Sequence, residues 1–346
     1  MNGSWRGWGG VAAMAAACGL ALTCAVAPLH GDSGTGQAKA AHARGAVVQA
    51  RYASAQDAAG TCTPANMAES LDPALGDTDG AAVRAIVKRG RLVVGIDQDS
   101  YLWGFRDPKQ KGRLAGFDID ITRAIAKGIL GDPDKVQYLA VPTAERFPAI
   151  EHGDVDMVVR TVSITCARLH ATDYPVVFST AYFNAGQQLL VPDGSAVTGY
   201  DESLRGKRVC VADGAFGETT LTGKSPGKES DAERFGAKVV TVDNQLDCLV
   251  LLQLDKADAV FTDNALAAGL AAQDPGVKLV GEPIDPEPYG VAMAPGSPDL
   301  VRRVNRILAA YEAGPNSGWK QSYDHWLSAD LGPTSGPPTP QYRRER

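Results

Sequence analysis

Arg168 lies three residues past Thr165 in the stretch TVSITCARLHATDY, residues 161–174. The alternating pattern ends near Ser163 and Thr165, where a helix is predicted to begin. A helix start already presents free N–H groups and a positive dipole end. A guanidinium added there costs stability unless it faces an anion. Thr161, Ser163 and Thr165 bring hydroxyls and N–H groups to the same place. With Arg168, whose planar fork grips a carboxylate as lysine does not, they make half of an anion socket. The competing reading is a solvated arginine in a helix's first turn. The opposite charge comes from Asp263, at the end of the strand-like ADAVFTD (257–263). Ligands of α/β sheets lie beyond such carboxyl ends. Capping the next helix is the other common task of an aspartate there.

Those residues need elements to hold them. GAAVRAIVKRG reads as an amphipathic helix closed by Gly90, and RLVVGID as a buried strand. Strands and helices then alternate through GFDIDITRAIAKGIL, VQYLAVP, AERFPAIEHG and VDMVVRTV. The alternation restarts after QQLLVP with KRVCVADG, KVVTVD, DCLVLLQLDK, ADAVFTD and ALAAGLAA. Such alternation predicts α/β architecture with helix-covered parallel sheets, and the restart predicts two lobes. The apolar stretches QQLLV and YGVAMA fall where the chain would cross between them, forming a hinge over a cleft. The expected segments are a signal over 1–24, a flexible tether over 25–78, lobe 1 over 79–190 plus 284–330, lobe 2 over 191–283 and a disordered Pro-rich tail over 331–346.

The chain has 346 residues and a net charge of −6, with no basic block outside RRER at its end, so nucleic acid is not an expected partner. Near the N-terminus Arg6 precedes an apolar run from about Val11 to Leu22, shorter than the roughly 20 residues that span a bilayer. It reads as an export signal. Cys24 follows the run and is the expected site of lipid attachment, with Cys18 the second choice. An oxidising compartment then permits disulfides among Cys62, Cys166, Cys210 and Cys248. Four cysteines allow three pairings; Cys210–Cys248 is favoured, close in sequence within one half, and then Cys62–Cys166. There is no CxxC pair and the histidines lack ligand spacing, so no metal is expected.

GFDIDITRAIAKGI, residues 116–129, resembles the signature of the extracellular solute-binding proteins of family 3, and the likeness runs from about Arg91 to Leu327. It implies a type II periplasmic-binding-protein-like fold, with two parallel-rich sheets flanked by helices and joined by a two-crossing hinge. It also implies an amino-acid ligand, delivered to the membrane permease of an ABC importer, and no cofactor. On this resemblance Thr161, Ser163 and Arg168 hold the ligand carboxylate, and Asp263 holds its ammonium. Thr143 and Arg146, in PTAERFPAI, match the positions that acidic-ligand members use for the ligand side chain. Arg160 is a further candidate. Asp97 follows the first strand, with Tyr101 and Trp103 supplying an aromatic wall; an acid there needs Arg146 or Arg160 as counter-charge. In ADGAFGETT, around Phe216, the N–H groups of Gly214 to Gly217 are placed to finish the carboxylate cage. A phosphate-loop reading of GAFGETTLTGKS fails because Glu218 stands where its first glycine is required.

Together these point to glutamate, aspartate or their amides as ligand, bound outside the membrane by a lipid-anchored receptor. Two other functions compete. A sensor would report amino-acid levels to a membrane receptor or kinase. An enzyme on the same scaffold, dehydratase-like, would need a poised acid or base, and no histidine falls at a mapped pocket position.

Overall fold

The computed structural model describes residues 62–224 and 229–344. The signal segment, Cys18, Cys24 and the tether up to residue 61 lie outside the described residues. Helix α1 (Ala81–Arg89) ends at Gly90, whose φ of 76° takes the left-handed turn that closes it. Strand β1 (Leu92–Ile96) follows. Strands β2 (Asp99–Ser100), β3 (Gly104–Asp107) and β4 (Arg113–Ala115) make a small antiparallel sheet. In α2 (Phe117–Leu130), Ile121, Ile125 and Ile129 recur every fourth position and are all buried. Each such side chain stabilises the fold by about 1.5–3 kcal/mol. The first run ends with β5 (Val136–Ala140), α3 (Arg146–Glu151), β6 (Met157–Val158), α4 (Cys166–Leu169) and β7 (Val177–Phe178).

Strand β8 (Phe183–Pro192) leads to β9 (Arg208–Ala212), α5 (Phe216–Thr222), α6 (Asp231–Phe235), β10 (Lys238–Val242) and α7 (Gln245–Gln253). Strand β11 (Ala259–Asp263), α8 (Asn264–Ala271) and β12 (Val277–Tyr289) complete that half. The chain finishes with β13 (Ala292–Met293), α9 (Pro298–Glu312), α10 (Gly318–Trp326) and α11 (Ser328–Leu331).

Two five-stranded sheets result, ordered β5-β1-β6-β13-β7 and β10-β9-β11-β8-β12. Both are mixed rather than wholly parallel. β1 runs parallel to β5 and β6, and β9 parallel to β10 and β11, but β13 and β8 are antiparallel to their neighbours. The reason is the return path: a strand that comes back through the hinge enters its sheet from the opposite end.

The crossing itself is the β8–β12 pair, which runs from Phe183–Tyr289 to Pro192–Val277 with register shifts between Val280 and Ile284 and between Ile284 and Pro286. Phe183 and Tyr289 pack into the core of the first lobe, whereas Leu189 and Val191 pack into that of the second. The crossing therefore falls at Gln187, the first residue of QQLLV, and at Glu287, just before YGVAMA. Apolar content alone does not mark its exact position, because the crossing carries the polar Gln187 and Glu287.

Two segments expected to lack structure are paired instead. Ser70 N donates to Gln341 O at 3.0 Å, and Arg343 N to Ser70 O at 2.9 Å. Asn305 Nδ2 donates to Ser70 Oγ (2.9 Å) and Leu71 O (2.7 Å). Each segment supplies backbone groups to the other, a long-range match that composition does not register. The structure joins Cys62 to Cys166 and Cys210 to Cys248. Among the described residues no helix is long and apolar enough to cross a membrane.

Candidate functional site

The strand-to-helix corner at 159–168 is where the first lobe faces the second. Thr165 caps α4, its hydroxyl accepting from Arg168 N at 3.2 Å. That cap turns the arginine back across the corner. Its Nη1 donates to Ser163 O at 2.7 Å, and its Nη2 reaches Gly214 O, in the second lobe, at 3.1 Å. Arg146, at the start of α3, donates through Nε to Thr143 O (2.7 Å) and through Nη2 to the same Gly214 O (2.8 Å). Both guanidiniums lie over the Phe147 ring, 5.7 Å and 5.4 Å from its centre. Among the described residues neither forms an ion pair. Burial lowers the pKa of both. For Arg146, repulsion from Arg168 and Arg160 adds to this; for Arg168, Glu287 and Asp263 oppose it.

Thr161 contributes differently from expectation. Its φ is 43°, an unusual conformation for a β-branched residue. Its N–H is held by Asp118 Oδ2 at 2.8 Å, and Asp118 Oδ1 accepts from Tyr182 OH at 2.8 Å. Burial pushes the Asp118 carboxyl up to about 7. Asp118 thus does more than start α2: it buttresses the corner.

Asp263 occupies the cap position of α8 but makes no cap bond. Its Oδ1 accepts from Gln187 Nε2 at 2.7 Å and its Oδ2 from Tyr289 OH at 2.6 Å. The same Gln187 amide donates to Glu287 Oε2 at 2.5 Å, and Ser163 Oγ donates to Glu287 Oε1 at 3.1 Å. Two carboxyl groups therefore meet at the hinge, Glu287 on the crossing strand β12 and Asp263 on β11 beside β8. Burial, and then the Asp263 charge and its hydrogen bond, push the Glu287 carboxyl well above its usual range. Gln187 Oε1 is buried without a donor among the described residues.

A third arginine closes the arrangement. Arg160 Nη2 sits 2.8 Å from Asp97 Oδ2 and 2.9 Å from Asn244 Oδ1 of the second lobe, while Nη1 donates to Thr143 Oγ1 at 3.0 Å. Thr143, Arg146, Arg160, Asp97, Arg168 and Ser163 are thus joined by direct bonds or shared partners. Gly214 packs closely as well: a Cβ there would stand 2.9 Å from Ala144 Cα. The lobes are closed on each other.

One expected contact is corrected. Trp103 is not a cleft wall. It is fully buried, edge-on to Phe117, Phe183 and Tyr289, and its indole donates to Ala265 O at 3.1 Å. The tight turn through Leu102, at φ 73°, swings it into the core. The aromatic face beside the arginines belongs to Phe147. At Gly214 the group turned to the arginines is its carbonyl rather than its N–H. Gly214 N donates to Glu218 Oε2 (3.2 Å) and Ala215 N to Ala212 O (3.1 Å). Phe216 opens α5, half-buried, two residues beyond that carbonyl.

Glu287, Gln187, Tyr289, Asn244 and Phe147 were not singled out from sequence. The available signal is weak: Tyr289 opens YGVAMA and Glu287 stands two residues before it, and a charged residue beside a predicted crossing is a buried-polar warning.

The geometry agrees with the comparisons to known proteins. Residues 92–329 match the bacterial extracellular solute-binding proteins, family 3. The chain is 32% identical over 246 residues to the ABC transporter glutamine-binding protein GlnH of Bacillus subtilis (strain 168), covering 71% of this chain and 84% of that one. It is 26% identical over 274 residues to the glutamate/aspartate import solute-binding protein of Salmonella typhimurium, covering 77% and 84% respectively. A solved structure of an ancestral arginine-binding protein bound to arginine superposes with a TM-score of 0.60 at 33% identity, covering 69% of this chain and 99% of that one. With its closed pair of lobes and hinge strands, the chain belongs to the bacterial extracellular solute-binding proteins of family 3, and is a binding protein rather than an enzyme.

Proposed function

We propose that the cleft binds an acidic amino acid, glutamate or aspartate, and more weakly their amides, for delivery to the permease of an ABC importer. One observation carries this reading: Arg146 and Arg168 reach into the lobe interface, and among the described residues their hydrogen-bond partners are only carbonyl oxygens. A guanidinium keeps its proton in a protein, and a buried cation is expensive until an anion joins it. Arg168 takes the α-carboxylate and Arg146 the side-chain carboxylate or amide. Asp263, with Gln187 beside it, takes the ammonium. Three guanidiniums stand against the carboxylates of Asp97 and Asp263, while Glu287 is pushed toward its neutral form. A ligand of net charge −1 completes that balance. Charge-assisted bonds contribute about 1.5–3 kcal/mol each, enough with closure for micromolar affinity near −8 kcal/mol. Lobe closure follows because the ligand bridges groups from both halves and so favours one state. The relatives named as glutamine-binding and glutamate/aspartate import proteins support the ligand class.

The family is extracellular, and the chain is exported. Lipid attachment through Cys24 is part of the same proposal; its test is whether Cys24→Ala moves the protein from the membrane fraction to the medium. The ligand is tested by a thermal-shift screen of the standard amino acids, in which a ligand at a hundredfold excess over Kd stabilises by about 2.7 kcal/mol. Glutamate, aspartate and their amides are the expected hits. A hit list of cationic or apolar amino acids alone overturns the assignment.

A further inference from the structure

Asp97 places a carboxylate at the end of the first strand, beside the proposed ligand side-chain site, where a free acid would welcome a cation. It is not free. Arg160 Nη2 lies 2.8 Å from its Oδ2, and both side chains are almost wholly buried, at 2% and 9% exposure. Asp97 is further held by Ser100 Oγ at 2.7 Å and Gln98 N at 2.8 Å. Burial alone would raise its pKa, but Arg160 and these donors outweigh that and hold it below the usual range. The carboxylate is therefore ionised and fully engaged.

Arg160 is fixed from three sides: Asp97, Thr143 Oγ1 and, across the cleft, Asn244 Oδ1. Thr143 in turn gives its carbonyl to Arg146. One residue thus links the Asp97 pair to the arginine proposed for the ligand side chain. Arg160 Nε is buried with no acceptor among the described residues, a donor left in the same cluster.

We propose that Arg160 determines ligand specificity: by neutralising Asp97 it bars cationic side chains and keeps Arg146 available for an acidic or amide one. The proposal rests on the reading of Arg146 as the side-chain partner. Its physics is a change of one unit of charge. With Arg160 present, the cleft carries a positive excess that a net negative ligand balances. Without it, Asp97 becomes the counter-ion of Arg146 or of a ligand cation, and the preference for an anion is lost. Rejection of the wrong side chain here comes from a repulsive element rather than from a better fit.

The test is titration calorimetry of the whole chain with L-glutamate, L-glutamine and L-arginine. Arg160→Gln is expected to move the arginine-to-glutamate ratio of Kd values by about tenfold or more toward arginine, whereas Arg160→Lys, which keeps the charge, holds it within about threefold. A folded Arg160→Gln protein that binds glutamate with the wild-type ratio overturns the proposal, whatever happens to absolute affinity. Should Arg160→Gln fail to fold, Asp97→Asn decides. It strengthens the positive excess, so glutamate should gain over glutamine by about tenfold, and an unchanged ratio refutes the assignment. Wild-type protein that binds no acid or amide amino acid refutes the ligand class itself, a result distinct from failure of Arg160 alone.

Discussion

Arg146 and Arg168 share one acceptor: both donate to the carbonyl oxygen of Gly214, at 2.8 and 3.1 Å, from the opposite lobe. Two like charges repel each other at this distance. They are held together by the lobe closure, by Phe147 beneath both, and by the ligand charge that the proposed function supplies. The cleft is therefore strained electrostatically in a way that an anion relieves.

Arg168→Ala should remove binding of every amino acid, by about a hundredfold or more, since two charge-assisted bonds are lost. Arg146→Ala should weaken glutamate by about tenfold more than glutamine. Calorimetry with both ligands checks this; equal losses for Arg146→Ala would show that Arg146 does not meet the side chain.

Gly214→Ala should impair closure rather than recognition. Its φ of 72° suits glycine, and the new Cβ would sit 2.9 Å from the Ala144 backbone. The strain costs about 1 kcal/mol, and glutamate and glutamine should lose affinity by the same factor. Unequal losses would place Gly214 in side-chain selection instead.

Glu312 gives a pH signature outside the cleft. Both its oxygens are buried without donors among the described residues, and burial raises its pKa from 4.5 to about 8. A carboxyl raised on folding holds a proton that the unfolded chain has released, so its stability contribution is intact below pH 4.5 and lost as pH climbs to about 8. Glu312→Gln should therefore raise the unfolding free energy at pH 8 relative to wild type by on the order of 2–4 kcal/mol, seen as a higher Tm, and change little at pH 5. A Tm difference independent of pH would refute the assignment.

The disulfides should separate in function. Cys210–Cys248 closes a loop of 38 residues and Cys62–Cys166 one of 104. Loop closure predicts losses of about 4 and about 5 kcal/mol when each is replaced by serines. Only the second pair should also weaken ligand binding, because Cys166 opens the helix that carries Arg168. Paired Tm and Kd measurements distinguish the two.

Much of this site could be read before any coordinates. Arg168, Ser163 and Asp263 stand out as candidates in the sequence because strand ends followed by caps are local patterns, visible within a few residues. Arg160 was named but not placed, since alternation fixes only which side of a strand faces away, and β6 is two residues long. Glu287 and Gln187 escaped because their meaning is mutual: each sits on a different crossing strand, 100 residues apart, and only pairing brings them to one amide. Trp103 misled because a turn of positive φ at Leu102 cannot be told from an ordinary loop. The paired ends at Ser70 and Tyr342 escaped for the same long-range reason.

The bond between Cys62 and Cys166 has a mechanical consequence. It fixes the first described residue of the chain to the opening residue of α4, two positions from the guanidinium of Arg168. Force applied at Cys62 therefore reaches α4 along a covalent path. Pulling on Cys62 would load the recognition helix directly, whereas the second lobe, closed around its own Cys210–Cys248 loop, would feel that force through the two hinge strands and the arginine bonds across the cleft.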